Sequence, residues 1–469
     1  MSDYTMTIDG QGVRSEQTFG VINPATGSVF AECPDCTKSQ LDDAMDSALR
    51  AFPEWSRDKT RRIQALHDCA AALKSHCEML AEILTREQGK SLKDALNEIK
   101  NFSVPWLEAT ASLDYPPHVI QDDEKARIEV RRKPLGVVGA ITPWNVPVIM
   151  AVWKIAPALL VGDTVVLKPS PYTPLATLRM GEILRDVLPP GVLNIVSGGD
   201  ELGAWITTHP IVRKISFTGS VETGKKVMRA AASDLKRVVL ELGGNDPAIV
   251  LPDVDPRKVA EKLFWAAFRN NGQICIAIKR LYIHTKIFKQ LVEEIAAVAR
   301  GVKVGDGLDP STQLGPVNNR PQFDRVIELV EDAKQSGATI LTGGEQLKGP
   351  GYFYPPTIVT DIAEGTRLVD EEQFGPALPV MPFTSIDEAL ERANATHFGL
   401  GGSIWTNDLD RGADLASRLE CGTGWVNQHI GLSPFVPFGG VKWSGIGCQN
   451  GLWGLDELTE MQVINVARG

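Results

Sequence analysis

Three side chains in this sequence have the types needed for covalent chemistry on a carbonyl: Cys275 in "NNGQICIA", Glu241 in "RVVLELGG" and Asn145 in "TPWNVPV". A thiol can attack the carbonyl carbon, a carboxamide N–H can hold the developing oxyanion, and a carboxylate can activate water against the resulting thioester. Each residue alone also has a plainer reading. Cys275 between two isoleucines fits a small core residue, Glu241 a solvated or ion-paired carboxylate at a strand end, and Asn145 a structural residue on a proline-stiffened turn. Apolar walls would raise the pKa of Glu241 toward general-base range. A free cysteine titrates at about 8.5, so its thiolate must be stabilised or its proton removed as it attacks. No histidine neighbours Cys275 in the sequence to do this.

Two further stretches have ligand-binding character. "FTGSVETGKKV" (217–227) follows a short apolar run and opens a helical pattern, where helix-start amides can hold a phosphate. Its spacing approaches G-x-x-x-x-G-K-[ST], but Lys226 stands where a magnesium-binding hydroxyl belongs, which disfavours a nucleotide hydrolase. No G-x-G-x-x-G fingerprint is present either, so a dinucleotide site and a structural strand-to-helix turn both fit. "VVLKPSP" (165–171) ends a strand with Lys168, placed either to meet a ligand at the carboxyl edge of a parallel sheet or to be a solvated loop lysine. "CPDC" has redox or zinc spacing, yet no second pair or histidine cluster completes a site. Cys33 and Cys36 therefore read as two thiols on an N-terminal loop, and no metal is expected.

The elements that must position these groups alternate in type. From about residue 38, "SQLDDAMDSALRAFPEW" and "TRRIQALHDCAAALKSHCEMLAEILTREQGKSL" carry apolar residues at helical spacing. After a charged segment at 115–134, whose "RIEVRR" alternates like an exposed strand, come "GVVGAIT", "DTVVLKPS", "GVLNIVSG", "KISFTGS", "RVVLELGG" and "PAIVLP", most of them separated by helical patterns. A second set includes "RLYIHTKIFKQLVEEIAAVARG", "TILTGGEQ", "YPPTIVTDI", "ALPVMPF", "SIDEALERANA" and "GGSIWTND". Such alternation specifies an α/β fold with a doubly wound, mainly parallel sheet and a second α/β domain.

Composition excludes several classes. A chain of 469 residues with 43% hydrophobic content can bury a large core divided over two or three domains. Its net charge of −10, without a long basic run, gives no attraction to nucleic acid or anionic lipid, so a small-molecule partner is expected. The apolar stretch 135–162 is interrupted by three prolines, Asn145 and Lys154, and reads as a buried strand and helix rather than a membrane span. Seven cysteines, an odd and sparse number, argue for a reducing compartment. "MSDYTMTIDGQG" has no secretory pattern, and a cytoplasmic location is expected.

With these residues assembled, the chain resembles the NAD(P)-dependent aldehyde dehydrogenase superfamily over nearly its whole length. The resemblance rests on "TPWNVPV", "VVLKPSP", "ISFTGSVETGKKV", "LELGGND", "NNGQICIA", "EEQFGPALPV" and "PFGGVKWSGIG", all in family order, and on the 34 residues (275 − 241) from Glu241 to Cys275. It implies that Cys275 attacks the aldehyde, that Asn145 and the Cys275 N–H hold the oxyanion, and that Glu241 activates the hydrolytic water. Lys154 is implied as a proton-relay residue. For the cofactor it implies Lys168 at the adenosine ribose, Ser220 with the turn at Gly219 near the pyrophosphate, and Gly199 and Gly203 beside the adenine. Trp144 would line the channel, while Glu372 and Phe374 would hold the nicotinamide ribose and ring.

The resemblance also divides the chain into a cofactor domain (1–114 and 135–241), a catalytic domain (242–454) and a small β oligomerisation arm (115–134 and 455–469), with a homodimer or homotetramer expected. Two positions depart from the family. Pro171 replaces a glutamate that in many members binds the ribose hydroxyls, which leaves NADP open beside NAD, and Asn245 replaces a lysine in "ELGGN". The implied substrate tunnel carries Val146, Met150, Trp153, Ile274, Ile276, Leu432 and Phe438, without an arginine or lysine. That favours medium-chain aliphatic or aromatic aldehydes over a semialdehyde, whose distal charge would be buried unpaired. Gln428 and His429 in "VNQHIG" offer polar groups for a substrate tail. The alternatives are a semialdehyde or coenzyme A-acylating dehydrogenase and a non-catalytic relative kept as a binding protein.

Overall fold

The computed structural model describes residues 3–468; Met1, Ser2 and Gly469, at the ends of the 1–114 and 455–469 segments, lie outside the described residues. Five parallel strands form the centre of the first sheet: Val137–Ile141, Thr164–Lys168, Leu193–Ile195, Val212–Thr218 and Arg237–Glu241. Their spatial order is third, second, first, fourth, fifth. Chain direction across the sheet therefore reverses between Val137–Ile141 and Val212–Thr218, and the carboxyl ends of these two strands open the crevice where such sheets bind ligands. Asn145 follows the first of them and Gly219 the second.

The tempting apolar stretch resolves as expected into the strand Val137–Ile141 and the helix Pro147–Val161, of which every residue but the last is buried. Pro147 suits the start of that helix, where no intrahelical partner is needed for its missing N–H. No helix among the described residues is long and apolar enough to cross a membrane.

The second sheet has seven strands in the order Thr339–Thr342, Thr357–Thr360, Ala377–Phe383, Ile278–His284, Asp246–Val250, Gly401–Trp405 and Thr423–Val426, all parallel except the first. A third, antiparallel sheet joins His118–Asp122, Ala126–Pro134 and Thr459–Ala467, bringing the charged 115–134 segment and the C-terminal strand together. Near the N-terminus the structure adds four strands that the helical reading from residue 38 did not include. Met6–Ile8 and Gln11–Val13 extend the first sheet, and Thr18–Asn23 pairs with Ser28–Pro34. The loop reading is corrected for Cys33, which lies within a strand, and holds for Cys36, which follows it; both are buried, and burial pushes each thiol up to about 12.

One strand from the second half of the chain returns to the first sheet. Gly445–Ile446 pairs antiparallel with Leu240 and Glu241, closing the sheet edge beside the candidate base. The approach needs glycine, because a Cβ at Gly445 would stand 2.3 Å from the Leu240 carbonyl oxygen. Gly445→Ala should therefore lower stability by about 1–3 kcal/mol, as overpacking does. It should also reduce activity by displacing Glu241; unchanged thermal unfolding and unchanged turnover would contradict this account of the closure.

Candidate active site

Asn145 is fixed by a buried ion pair. Lys90 Nζ lies 2.6 Å from Glu98 Oε2, with both side chains almost fully buried, and also donates to the Asn145 carbonyl at 2.9 Å. The other Glu98 oxygen accepts the Val148 and Ile149 N–H groups at 3.0 and 3.2 Å, satisfying donors that the first turn of the helix Pro147–Val161 leaves free. The Asn145 side-chain amide donates to the Gln273 carbonyl at 2.9 Å. An amide carries two N–H groups, so one remains for an oxyanion.

The turn that presents Cys275 is made by three consecutive left-handed residues: Asn270 (φ 52°), Asn271 (φ 58°) and Gly272 (φ 74°). Asparagine tolerates this region better than other residues with a Cβ. Gly272 has no substitute, since a Cβ there would meet the Gly375 carbonyl oxygen at 2.3 Å. Asn270 Nδ2 donates to the Asn145 carbonyl at 3.0 Å, so the turn and the asparagine share one anchor. Lys279 Nζ donates to the Ile274 and Cys275 carbonyls at 2.9 and 2.5 Å. The Cys275 N–H donates to no group among the described residues. Burial pushes the Cys275 thiol up to about 12, against the pull of the Lys279 ammonium.

Glu241 ends its strand buried, and neither carboxylate oxygen has a hydrogen-bond partner among the described residues. Burial raises its carboxyl well above the usual range, opposed by the Lys154 ammonium. Lys154 is buried too, donates to Ser216 Oγ (3.1 Å) and Thr218 Oγ1 (2.8 Å), and is brought down to about 7 by the same desolvation. It lies outside the walls of the cleft that Cys275, Glu241 and Asn145 line together.

That cleft has a volume of about 1140 Å³ and runs along the carboxyl edge of the first sheet. Trp144, Lys168, Gly203, Gly219, Ser220, Glu372 and Phe374 line it, whereas Gly199 stands outside it as the N-cap of the helix Asp200–Thr208. Lys168 tests the fit to a dinucleotide. Its ammonium is buried, brought down to about 8 by desolvation, and bonded only to the Pro169 carbonyl at 3.2 Å, so it keeps donors for ribose hydroxyls. Trp144 meets Phe374 edge to face at 5.3 Å, and Phe374 is itself held at φ 44°. The Ser220 hydroxyl caps its own helix through Thr223 N–H, and Glu372 accepts from Gly244 N–H and pairs with Lys279 at 3.4 Å.

All seven expected tunnel residues also line the cleft. Trp153 stacks on Trp106 at 5.1 Å and meets Phe438 edge to face at 5.5 Å. Two expectations about polar groups change. His429 has a fully buried side chain turned to Ser403 and Asp246, and Gln428 is exposed; neither lines the cleft. The seven tunnel residues include no arginine or lysine, as expected; Arg269, outside that set, also lines the cleft, is exposed, and has no carboxylate within 4.0 Å among the described residues.

Residues 12–464 match the aldehyde dehydrogenase family. The chain belongs to that family. It is 38% identical over 471 residues to retinaldehyde dehydrogenase 3 of Homo sapiens, covering 97% of this chain and 91% of that one. It is 38% identical over 486 residues to phenylacetaldehyde dehydrogenase of Pseudomonas fluorescens (99% and 96%). Over 463 residues it is 40% identical to the peroxisomal aminoaldehyde dehydrogenase 1 of Pisum sativum (94% and 91%). Its fold matches the NAD+ complex of an aldehyde dehydrogenase from Bacillus cereus with a TM-score of 0.97 at 35% identity, covering 99% and 97% of the two chains. The protein is an enzyme that oxidises aldehydes.

Sequence reasoning did not find the parts of the dehydrogenase that hold its motifs in place. Lys90 lies in the turn after the helix Cys77–Gln88, and Glu98 and Trp106 lie in helices; their pattern gives no sign of a site, since a buried ion pair has no periodic signature. Asn270 and Lys279 sit within or beside a motif, and the run Asn270–Asn271–Gly272 was a readable signal for a left-handed turn.

Two outcomes follow from this geometry. Glu98→Ala leaves Lys90 as an unpaired buried charge and should cost about 3–5 kcal/mol in urea unfolding; a loss below about 1 kcal/mol would contradict the anchoring role. With the thiol raised, the thiolate is scarce at neutral pH and grows as pH rises. Carbamidomethylation of Cys275 in the free enzyme should therefore accelerate by about tenfold per pH unit from about pH 7 to 9. A plateau within that range would show a stabilised thiolate instead.

Proposed function

We propose that the enzyme oxidises hydrophobic aldehydes, medium-chain aliphatic or aromatic, to carboxylic acids with NAD. Cys275 gives up its thiol proton to water as Sγ bonds to the aldehyde carbon, and the oxyanion of the thiohemiacetal is received by the Cys275 N–H and the uncommitted N–H of Asn145. Trp144, Lys168, Gly203, Gly219, Ser220, Glu372 and Phe374 would hold NAD, which when bound would serve as the hydride acceptor. Glu241 then takes a proton from the water that adds to the thioester carbon, the C–S bond breaks, and the acid leaves with the thiol regenerated. Lys154, coupled to Glu241 and bonded to Ser216 and Thr218, carries that proton onward. Pro171 puts no carboxylate against a 2′-phosphate, which leaves NADP open beside NAD.

The observation that carries this reading is the gathering of free valences in one cleft. The Cys275 N–H, one Asn145 N–H and both Glu241 oxygens have no partner among the described residues, and apolar side chains surround them. A water-activating carboxyl at this place argues against coenzyme A transfer as the usual fate of the thioester. The unpaired Arg269 supports a second reading, an aldehyde with an anionic distal end. The same proposal assigns residues 1–114 and 135–241 to the cofactor domain and 242–454 to the catalytic domain. Residues 115–134 and 455–469 then form an oligomerisation arm, whose outer strand leaves Met461, Val463 and Val466 exposed for a dimer or tetramer in the cytoplasm.

Absorbance at 340 nm tests it. Wild type should reduce NAD with octanal or benzaldehyde, and Cys275→Ala should lose about 10³-fold or more. Glu241→Gln should release about one NADH per site and then stall, as a blocked deacylation does. A preference for succinate semialdehyde would favour the Arg269 reading, and no reduction with any aldehyde would favour a binding protein.

A further inference from the structure

Beneath the nucleophile lies a buried polar chain that the reaction does not use. Asp246 opens the strand Asp246–Val250, its side chain is fully buried, and neither carboxylate oxygen has a hydrogen-bond partner among the described residues. A carboxylate so placed is costly unless a cation or donor faces it. The nearby Arg280 guanidinium is committed to the carbonyls of Asn245, Arg392 and Ala393 and to Tyr282 Oη. The group that faces Asp246 is His429, whose equally buried Nε2 stands 3.7 Å from Oδ2 and has no other partner.

The ring's orientation is fixed from behind. Trp405 Nε1–H donates to Ser403 Oγ at 2.9 Å, and the same oxygen lies 2.9 Å from His429 Nδ1, holding the ring so that Nε2 faces Asp246. When the serine hydroxyl donates to Nδ1, Nε2 carries the ring N–H and points it at Asp246.

The two ends of this chain belong to different parts of the site. Asp246 lies against the back of the nucleophile turn: a Cβ on Gly244 would meet Asp246 Oδ1 at 2.7 Å and the Cys275 carbonyl oxygen at 2.8 Å. A Cβ on Gly401 would meet Asp246 Oδ2 at 2.6 Å, so two glycines leave room for the carboxylate. His429 belongs to the loop that carries Ile430, Leu432 and Phe438 into the tunnel wall. That loop holds strain, with Asn427 at φ 54° and the β-branched Ile430 at φ 64°. Trp425 supports it through its ring against His429 at 4.8 Å and its Nε1–H on the Gly431 carbonyl at 2.9 Å.

We propose that Asp246 and His429 form a buried clasp that holds the strained tunnel loop against the nucleophile turn and thereby sets how tightly the tunnel grips a long aldehyde. The clasp rests on the reading of this cleft as the aldehyde site. Both are positioning residues: neither touches the reacting atoms, and their effect reaches the substrate through Ile430, Leu432 and Phe438.

Steady-state kinetics of the full-length enzyme with decanal and with propanal tests it. His429→Ala should raise KM for decanal by about tenfold or more while kcat and the propanal KM stay within about twofold, because uniform binding is lost and not transition-state contact. His429→Gln, which returns an N–H to the Nε2 position, should restore most of the decanal KM and covers the case in which the alanine variant does not fold. Adding Asp246→Asn to His429→Ala should relieve part of the defect, since it removes the orphaned charge. Equal losses of kcat on both aldehydes, no rescue by glutamine, or a further loss on adding Asp246→Asn would each overturn the clasp. If wild type reduces NAD with neither aldehyde, the reading of the site fails first and the clasp with it.

Discussion

The Glu98 carboxylate is the constraint on which the active site depends. One oxygen caps the helix Pro147–Val161 through the Val148 and Ile149 amides, and the other holds Lys90, which in turn grips the Asn145 carbonyl. Asn270 bonds the same carbonyl, and the Asn145 side chain bonds Gln273. A single buried network thus sets where the oxyanion donor stands relative to the cysteine turn. Short bonds between buried groups leave little freedom, and catalysis on a carbonyl tolerates little.

The chemistry of the cleft follows from what that network leaves unpaired. Protein interiors pair their polar groups, so gathered exceptions mark places where a ligand or reacting atom completes the set. Glu241, Cys275 and Lys154 are all shifted toward their neutral forms by the same desolvation that makes the tunnel suitable for an apolar aldehyde. The walls that select the substrate thus also shift the titration of its base and nucleophile.

The motifs were legible because they are local. A strand end followed by a glycine turn, Asn-Asn-Gly before a cysteine, and a proline just after Asn145 each dictate backbone conformation over a few residues, and the structure gives them those conformations. The parallel strands were legible for a similar reason, since buried β-branched runs alternate with helical patterns. The four N-terminal strands escaped because strands of three to seven residues without a clean period look like loop. His429 was read as a polar group for a substrate tail because a sequence gives its neighbours along the chain and not the direction of its ring.

What the sequence determined by itself was the fold class, the family and the identity of Cys275, Glu241 and Asn145 as candidates, all carried by short-range patterns and their order. What only the tertiary structure decided was the pairing of groups far apart in the chain: Glu98 with Lys90 and Asn145, Lys154 beneath Glu241, the return of Gly445 to the strand of Glu241, and Asp246 facing His429. Burial and hydrogen bonding act through space, and desolvation depends on every atom that excludes water from a group. No spacing along the chain encodes that.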